Sequence, residues 1–400
     1  MNAQPILPGA TIGIFGGGQL GRMTAMAARA MGYRIQVLDP DPACPARFVV
    51  DGCIEASWDD AREAANLARG CDVVTLEIEQ ISMASMDAAA NFAPVRPGRA
   101  ILAVIQDRIE QKDWLRKHGF PVGDYRAVRS LDELREAIAA LGGKCFCKSA
   151  TGGYDGRGQG KVGFRAGADP EEELRGAWEA LSPSQLAGRG PLLGEGAGVA
   201  EKAVDLEREI SVLVARSPSG EVKVYPAAWN HHENQILAWS VMPAPLTDAM
   251  AAEARQLAET IADTFQLEGI LAVEMFVTTS GQLLVNELAP RPHNSYHASE
   301  RACVTSQFEQ LVRAVCDLPL GEVAVVQPCA IANLLGDVWL NQDGSPREPH
   351  FDRALAVPGV RLHLYEKHRP RKGRKMGHLS AVGATPEEAV ASVLKALELL

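Results

Sequence analysis

The sequence predicts an α/β protein of three successive units, and three features carry that reading. Strands and helices alternate over the first 120 residues. A glycine-rich strand–loop–strand segment marks a middle unit, 121–204. A β-hairpin bearing two glutamates lies in a third unit, 205–400. Alternation of β and α elements implies a parallel sheet in the first unit, and the hairpin implies antiparallel pairing in the third.

In the first unit, TIGIFG (11–16) is a short apolar strand, followed by a glycine turn and an Ala/Met-rich helix. RIQVLDPDP (34–42) is a second strand ending in Asp39. VVDGCIEASWDD, a helix over about 59–69 and DVVTLEIEQ (72–80) continue the alternation, and the unit closes near residue 120, after the helix IQDRIEQKDWLRKHG. The middle unit has a helix at 130–141, a strand KCFCKSA (144–150), a glycine loop at 152–160 and a helix introduced by Asp169 and Pro170. Asp and Pro suit a helix cap and first turn. The unit ends near VAEKAV (199–204), and a loop-tipped unit of this size reads as a lid. The third unit holds strands REISVLVAR and EVKVYPAAW, a long helix TDAMAAEARQLAETIADTF, the hairpin, a strand VRLHLYEK, and a last helix capped by Thr385 with Pro386 at its first position.

At 400 residues the chain is long enough for two or three domains, and 46% hydrophobic with 22% charged is ordinary for a globular protein. A net charge of −10 argues against nucleic acid as a partner. No apolar run reaches the roughly 18 residues of a membrane span, and the N-terminus lacks the basic and apolar regions of a signal peptide. The eight cysteines show neither zinc spacing nor C-x-x-C. These features together predict a cytoplasmic protein with reduced thiols.

The hairpin is the most informative chemistry. GILAVEMF (269–276) and LLVNELAPRPHN (283–294) flank the turn TTSGQ. With Ser280-Gly281 as a two-residue turn, Glu274 falls directly opposite Glu287. Like charges there repel, and a divalent cation reverses that sign. Carboxylate oxygens suit Mg²⁺, which takes one or two of them plus substrate phosphates. The glycine turn Gly16-Gly17-Gly18-Gln19-Leu20-Gly21 matches the dinucleotide fingerprint, with Asp39 placed for a ribose, so an NAD-dependent oxidoreductase is one reading. The turn would equally favour a substrate phosphate at the helix N-terminus. The second glycine loop, 152–160, does not fit the Walker pattern; with Lys148 on the preceding strand it reads as a mobile cover over a triphosphate.

GGGQLGRM (16–23), EIE (77–79), QDRIEQK (106–112), GGYDGRGQ (152–159), EISV (209–212), VNELAPRPHNS (285–295) and GRKMGHL (373–379) together resemble one branch of the ATP-grasp superfamily. That branch is the N5-carboxyaminoimidazole ribonucleotide synthetases, ATPase subunits of phosphoribosylaminoimidazole carboxylase in purine synthesis. The likeness covers about residues 11–380. It implies an ATP-grasp fold with a Rossmann-like parallel-sheet N-terminal domain, a lid and a C-terminal mixed-sheet catalytic domain. It implies carboxylation of 5-aminoimidazole ribonucleotide by bicarbonate and ATP through carboxyphosphate, a homodimer, and a product passed to a separate mutase.

By the same resemblance, ATP contacts fall on Arg108, Lys148, Gly153, Tyr154, Asp155, Gly156, Arg157, Gly158, Gln159, Glu201, Lys202, Ala203, Val204, Glu209, His232, Asn286 and Glu287. Glu201 to Val204 would form the adenine hinge, and Glu209 would hold the ribose. Glu274 and Glu287 would bind Mg²⁺. Arg291, His293 and Asn294, with Arg157, would surround bicarbonate and the amine. Gln19, Leu20, Glu77, Glu79, Tyr154, Asp155, Lys367 and Arg374 would bind the ribonucleotide, with Lys367 and Arg374 on its 5′-phosphate. Glu77 and Glu79 sit on one strand at the carboxyl end of the first sheet, and which of them touches substrate stays open, as does any role for Asp39. Ser149-Ala150-Thr151 stands where relatives often carry basic residues. A formate-dependent glycinamide ribonucleotide transformylase and a biotin-carboxylase-like enzyme are the sibling readings.

Overall fold

The computed structural model describes residues 4–152, 158–165, 167, 169–181 and 198–400. Seventeen strands form three sheets among them. The first is a four-stranded parallel sheet of β1 (Thr11–Phe15), β2 (Arg34–Asp39), β3 (Gly52–Glu55) and β4 (Val73–Leu76), in the order β3-β2-β1-β4. Its strands are apolar because helices cover them: Phe15, Leu38 and Leu76 pack against Leu67 and Ala68 of the helix Ala61–Arg69.

The second sheet is antiparallel, with β5 (Tyr125–Val128), β6 (Cys145–Ser149), β7 (Gln159–Val162) and β8 (Gly198–Lys202) in the order β5-β8-β6-β7. The helices Leu131–Ala140 and Pro170–Ala180, capped by Ser130 and Asp169, cover one face. Residues 153–157, the tip of the second glycine loop, lie outside the described residues, so Gly153, Tyr154, Asp155, Gly156 and Arg157 are not placed.

The third sheet has nine strands. They are β9 (Leu206–Arg216), β10 (Val222–Val224), β11 (Ala228–Glu233), β12 (Ile236–Met242), β13 (Gly269–Thr278), β14 (Leu283–Ala289), β15 (Cys329–Leu335), β16 (Val360–Leu364) and β17 (Lys375–Val382). The order is β14-β13-β9-β11-β12-β15-β17-β16, with β10 also on β9. Its named pairings are all antiparallel where a mixed sheet is expected; the parallel feature is one isolated bridge, Val122 to Val285. The segment EVKVYPAAW, expected as one strand, is two. Pro226, which has no N–H to give a ladder, lies in the break between β10 and β11.

Alternation in this sheet decides what reaches the cleft. Ile210, Val212 and Val214 of β9, with Leu271, Val273, Met275 and Val277 of β13, face the helix Asp248–Phe265. Ile270 and Ala272 point the other way, into a core shared with Ile12 and Ile14 of the first sheet. Glu274 continues that second face, past the end of the core.

The hairpin register differs from the expected turn. Thr278 N–H donates to the Gln282 carbonyl at 2.9 Å, so Thr279-Ser280-Gly281 is a three-residue loop, with Gly281 at φ 80. That register pairs Met275 with Val285, yet Glu274 does face Glu287, because a bulge leaves Asn286 without an opposed residue. The bulge is decisive. Val285 points to the helix side, and without the extra residue Glu287 would follow it there.

Candidate active site

The three sheets enclose a cleft of about 1160 Å³. Every expected site residue among the described ones lines it except Gly158 and Ala203. No helix of the described residues is long and apolar enough to cross a membrane.

The first glycine turn is not an open anion site. β4 ends at Leu76, so Glu77 and Glu79 lie in the segment beyond it, not on a strand. Glu77 Oε1 accepts from Gly18 N–H at 2.8 Å, and Oε2 accepts from Leu20 and Gly21 N–H at 3.1 Å each. The turn amides are therefore filled by the protein's own carboxylate. A Cβ on Gly18 would lie 2.6 Å from Glu77 Oε1, which is why glycine is needed there. Burial pushes the Glu77 carboxyl up to about 7, against the opposing pull of the turn amides. Asp39 accepts from Gly17 and Asp41 N–H, at 2.7 and 2.8 Å. Carboxylates of the chain itself thus stand where the NAD reading needs a pyrophosphate on the turn and a ribose on Asp39.

The acceptor side forms where distant segments meet. Lys367 Nζ donates to Gln19 Oε1 at 2.7 Å and to the Lys375 carbonyl at 2.8 Å. The basic run between β16 and β17 therefore closes over the first glycine turn. Arg374 donates to the His368 and Arg369 carbonyls, which holds that loop in shape. Arg291 lies 2.7 Å from Glu79 Oε1, and Gln106 fixes the segment beneath by donating to the Glu79 and Ile81 carbonyls. Burial alone would lower the Arg291 pKa; Glu79 more than reverses it. Asn294 is buried, and neither its Nδ2 nor its Oδ1 has a partner among the described residues.

The nucleotide side is a cluster of cations on acids. Asp107 caps the helix Arg108–Lys117 by accepting from Ile109 and Glu110 N–H, so this helix starts at Arg108, not earlier. Arg108 and Lys112, one turn apart, then share a face. Arg108 Nη1 pairs with Glu287 at 2.9 Å. Lys112 and Lys148 reach the two oxygens of Glu201 at 3.4 and 3.0 Å, and Lys148 also donates to Asn286 Oδ1. Burial raises the Glu201 pKa, but Lys148, Lys112 and Arg108 overcome it and hold the carboxyl at about 2. Burial also depresses Lys112. Lys112 belongs to QDRIEQK yet was not among the expected contacts; its i,i+4 spacing from Arg108 is the signal that marks it.

Glu274 accepts from His293 Nε2 at 2.9 Å. Its burial is outweighed by that bond and by the charges of His293, His232 and Lys148, so it stays ionised down to about 2. His232 sits in β11 with Nδ1 2.9 Å from Glu209. Burial pulls the His232 pKa down, and Glu209 lifts it above the ordinary value. Glu274 and Glu287 are opposed on one face, with the His293 ring and the Arg108 guanidinium each at 2.9 Å. Two opposed hard carboxylates suit Mg²⁺.

Fold and site together define a ligase of the ATP-grasp class, and family models agree. The ATP-grasp domain matches residues 113–308, the ribonucleotide synthetase preATP-grasp domain 9–106, and the phosphoribosylaminoimidazole carboxylase C-terminal domain 329–392. The N5-carboxyaminoimidazole ribonucleotide synthase of Bacillus subtilis (strain 168) is 38% identical over 98% of this chain and 97% of its own. A crystal structure of the ADP complex of an N5-carboxyaminoimidazole ribonucleotide synthetase superposes with a TM-score of 0.87 at 41% identity, covering 99% and 98% of the two chains. The Aspergillus clavatus enzyme, in complex with ADP and 5-aminoimidazole ribonucleotide, gives 0.83 at 29% identity over 98% of each chain. The chain belongs to the N5-carboxyaminoimidazole ribonucleotide synthase family.

Proposed function

We propose that this chain carboxylates 5-aminoimidazole ribonucleotide with bicarbonate, converting ATP to ADP and phosphate, as a step of purine biosynthesis. The observation that carries the reading is the opposed pair Glu274 and Glu287, set one short turn before Arg291, His293 and Asn294 in a cleft closed by the basic run. Nucleotide phosphates and acceptor then meet at one point.

Phosphoryl transfer of this kind needs positioning and charge neutralisation more than covalent catalysis. ATP would lie between the second and third sheets. Lys148 and Arg108 would meet its phosphates, Glu209 its ribose, and the segment Glu201 to Val204 its adenine. Glu274 and Glu287 would hold Mg²⁺, which supplies charge neutralisation on the phosphates. Bicarbonate attacks the γ-phosphorus to give carboxyphosphate, a mixed anhydride. Arg291 offers a fork for its carboxylate. The unpartnered Asn294 amide, which can donate and accept, suits the amine and the carboxyl group it takes up. Gln19, Leu20, Glu79, Lys367 and Arg374 would hold the ribonucleotide, and Glu77 would act by shaping the glycine turn. Lid residues 153–159 would exclude water, since carboxyphosphate hydrolyses readily.

The division 1–120, 121–204 and 205–400, a homodimer, and a cytoplasmic setting are parts of the same proposal. Eight free thiols support the reducing compartment. The carboxylated product would pass to a separate mutase. The test is phosphate release from ATP: it should require 5-aminoimidazole ribonucleotide, bicarbonate and Mg²⁺ and ignore NAD. Release driven by glycinamide ribonucleotide and formate would refute the reading.

A further inference from the structure

Outside the cleft, a second cavity of about 440 Å³ is bordered by Met23, Met31, Glu300, Glu309 and His363. Beside it, Glu300, His363 and His378 bring one ligand atom each within 4.8 Å of one another. His363 and His378 are cross-strand partners on β16 and β17, with rings stacked at 5.0 Å. Glu300 comes from the short helix Ser299–Ala302, which follows the His293–Asn294 turn.

We propose that Glu300, His363 and His378 form a second metal site, for a divalent transition ion of the zinc class. Two imidazoles and one carboxylate are the donor set of open zinc sites, whereas Mg²⁺ wants an oxygen octahedron. His378 Nδ1 lies 2.8 Å from the Tyr365 hydroxyl. That outer bond leaves Nε2 as the ligand and fixes the ring, as the second shell of metal sites does. Burial keeps both imidazoles below their ordinary pKa, hence neutral and able to bind. Glu300 stands on the open rim, yet desolvation by its surroundings pushes its carboxyl up to about 7, with Arg361 opposing. Ligand atoms around one zinc sit about 3.3 Å apart, from bonds of about 2.0–2.1 Å. The three ligand atoms would have to draw in from within 4.8 Å to that spacing, and the cavity leaves room for a fourth ligand.

The site touches both halves of the acceptor pocket. β16 and β17 are joined by the basic run carrying Lys367 and Arg374. His378 stacks on His297 at 4.9 Å, and Gln307 Nε2 lies within 3.1 Å of both the His297 ring and the His293 carbonyl. A bound ion therefore ties the root of the basic run to the turn that bears His293, and its occupancy tunes acceptor binding. The effect on the acceptor rests on the function proposed above; the metal site does not.

Chelator-stripped protein, titrated with Co²⁺ in excess Mg²⁺ and followed by visible absorption, tests the site, with Zn²⁺ as the displacing ion. The expected result is one Co²⁺ per chain with the spectrum of a histidine-bound ion of low coordination number. His363→Gln and Glu300→Gln, both at the cavity edge, should each weaken binding by more than the about 10–100-fold that losing an outer-shell partner costs. Glu287→Gln should leave it unchanged. A protein without stoichiometric Co²⁺ binding, or one whose binding is lost in Glu287→Gln and kept in His363→Gln, overturns the proposal.

Discussion

Glu201→Gln isolates the charge cluster of the nucleotide side. The carboxylate is 10% exposed and sits between Lys148 and Lys112 at 3.0 and 3.4 Å. Its pKa falls from 4.5 to about 2, and at 1.36 kcal/mol per pH unit that represents about 3 kcal/mol of stabilisation. The amide oxygen of glutamine still accepts from one ammonium and returns about 1 kcal/mol. The net loss is then about 2 kcal/mol, which lowers Tm by about 2–3 °C if 400 residues melt as one unit, and by more if the lid sheet melts separately. The sign of the pH dependence follows from the depressed pKa. The carboxylate stabilises the fold above pH 4.5 and loses that contribution as pH falls towards about 2. The gap in Tm between wild type and variant should thus be full at pH 7 and close on acidification. Saturating ATP should also narrow it, because its phosphates then meet the freed Lys148 ammonium. Differential scanning fluorimetry from pH 7 to pH 3, with and without nucleotide, measures this. An equal gap at both ends of that range, or no gap at pH 7, refutes the reasoning.

Further outcomes follow from the same geometry. Glu287→Gln should lower kcat by at least about 10³-fold with the circular dichroism spectrum retained; turnover near wild type would remove the metal assignment. Arg291→Lys keeps the charge but loses the planar fork, so kcat/KM should fall about 10–100-fold. Asn294→Ala deletes two buried polar atoms that have no partner, so Tm should hold or rise slightly while kcat falls about 100-fold. A drop in Tm of several degrees would show instead that the amide is structural. Gly18→Ala drives a Cβ to 2.6 Å from Glu77 Oε1; acceptor KM should rise well before ATP KM does, as steady-state kinetics would report.

Local chemistry was legible in the chain. Ser130, Asp169, Thr247 and Thr385 cap the helices they precede, each accepting from a first-turn N–H. Apolar runs marked β9 and β13. The hairpin text placed Glu274 opposite Glu287, although through a two-residue turn that the chain does not use. Two departures cancel there: a third loop residue shifts the register, and the bulge at Asn286 shifts it back. Neither has a hydrophobic signature, since Asn286 is polar on either reading.

What sequence by itself determined is the set of elements and the inventory of charged groups, because caps, periodicity and turn residues act over a few positions. What tertiary structure alone decided is which charges answer each other. Glu77 fills amides of the glycine turn almost sixty residues earlier, which silences a dinucleotide fingerprint that reads correctly as text. Lys367 reaches Gln19 across 348 positions. Such pairings depend on how sheets stack around a shared core, and burial, not spacing along the chain, sets their strength.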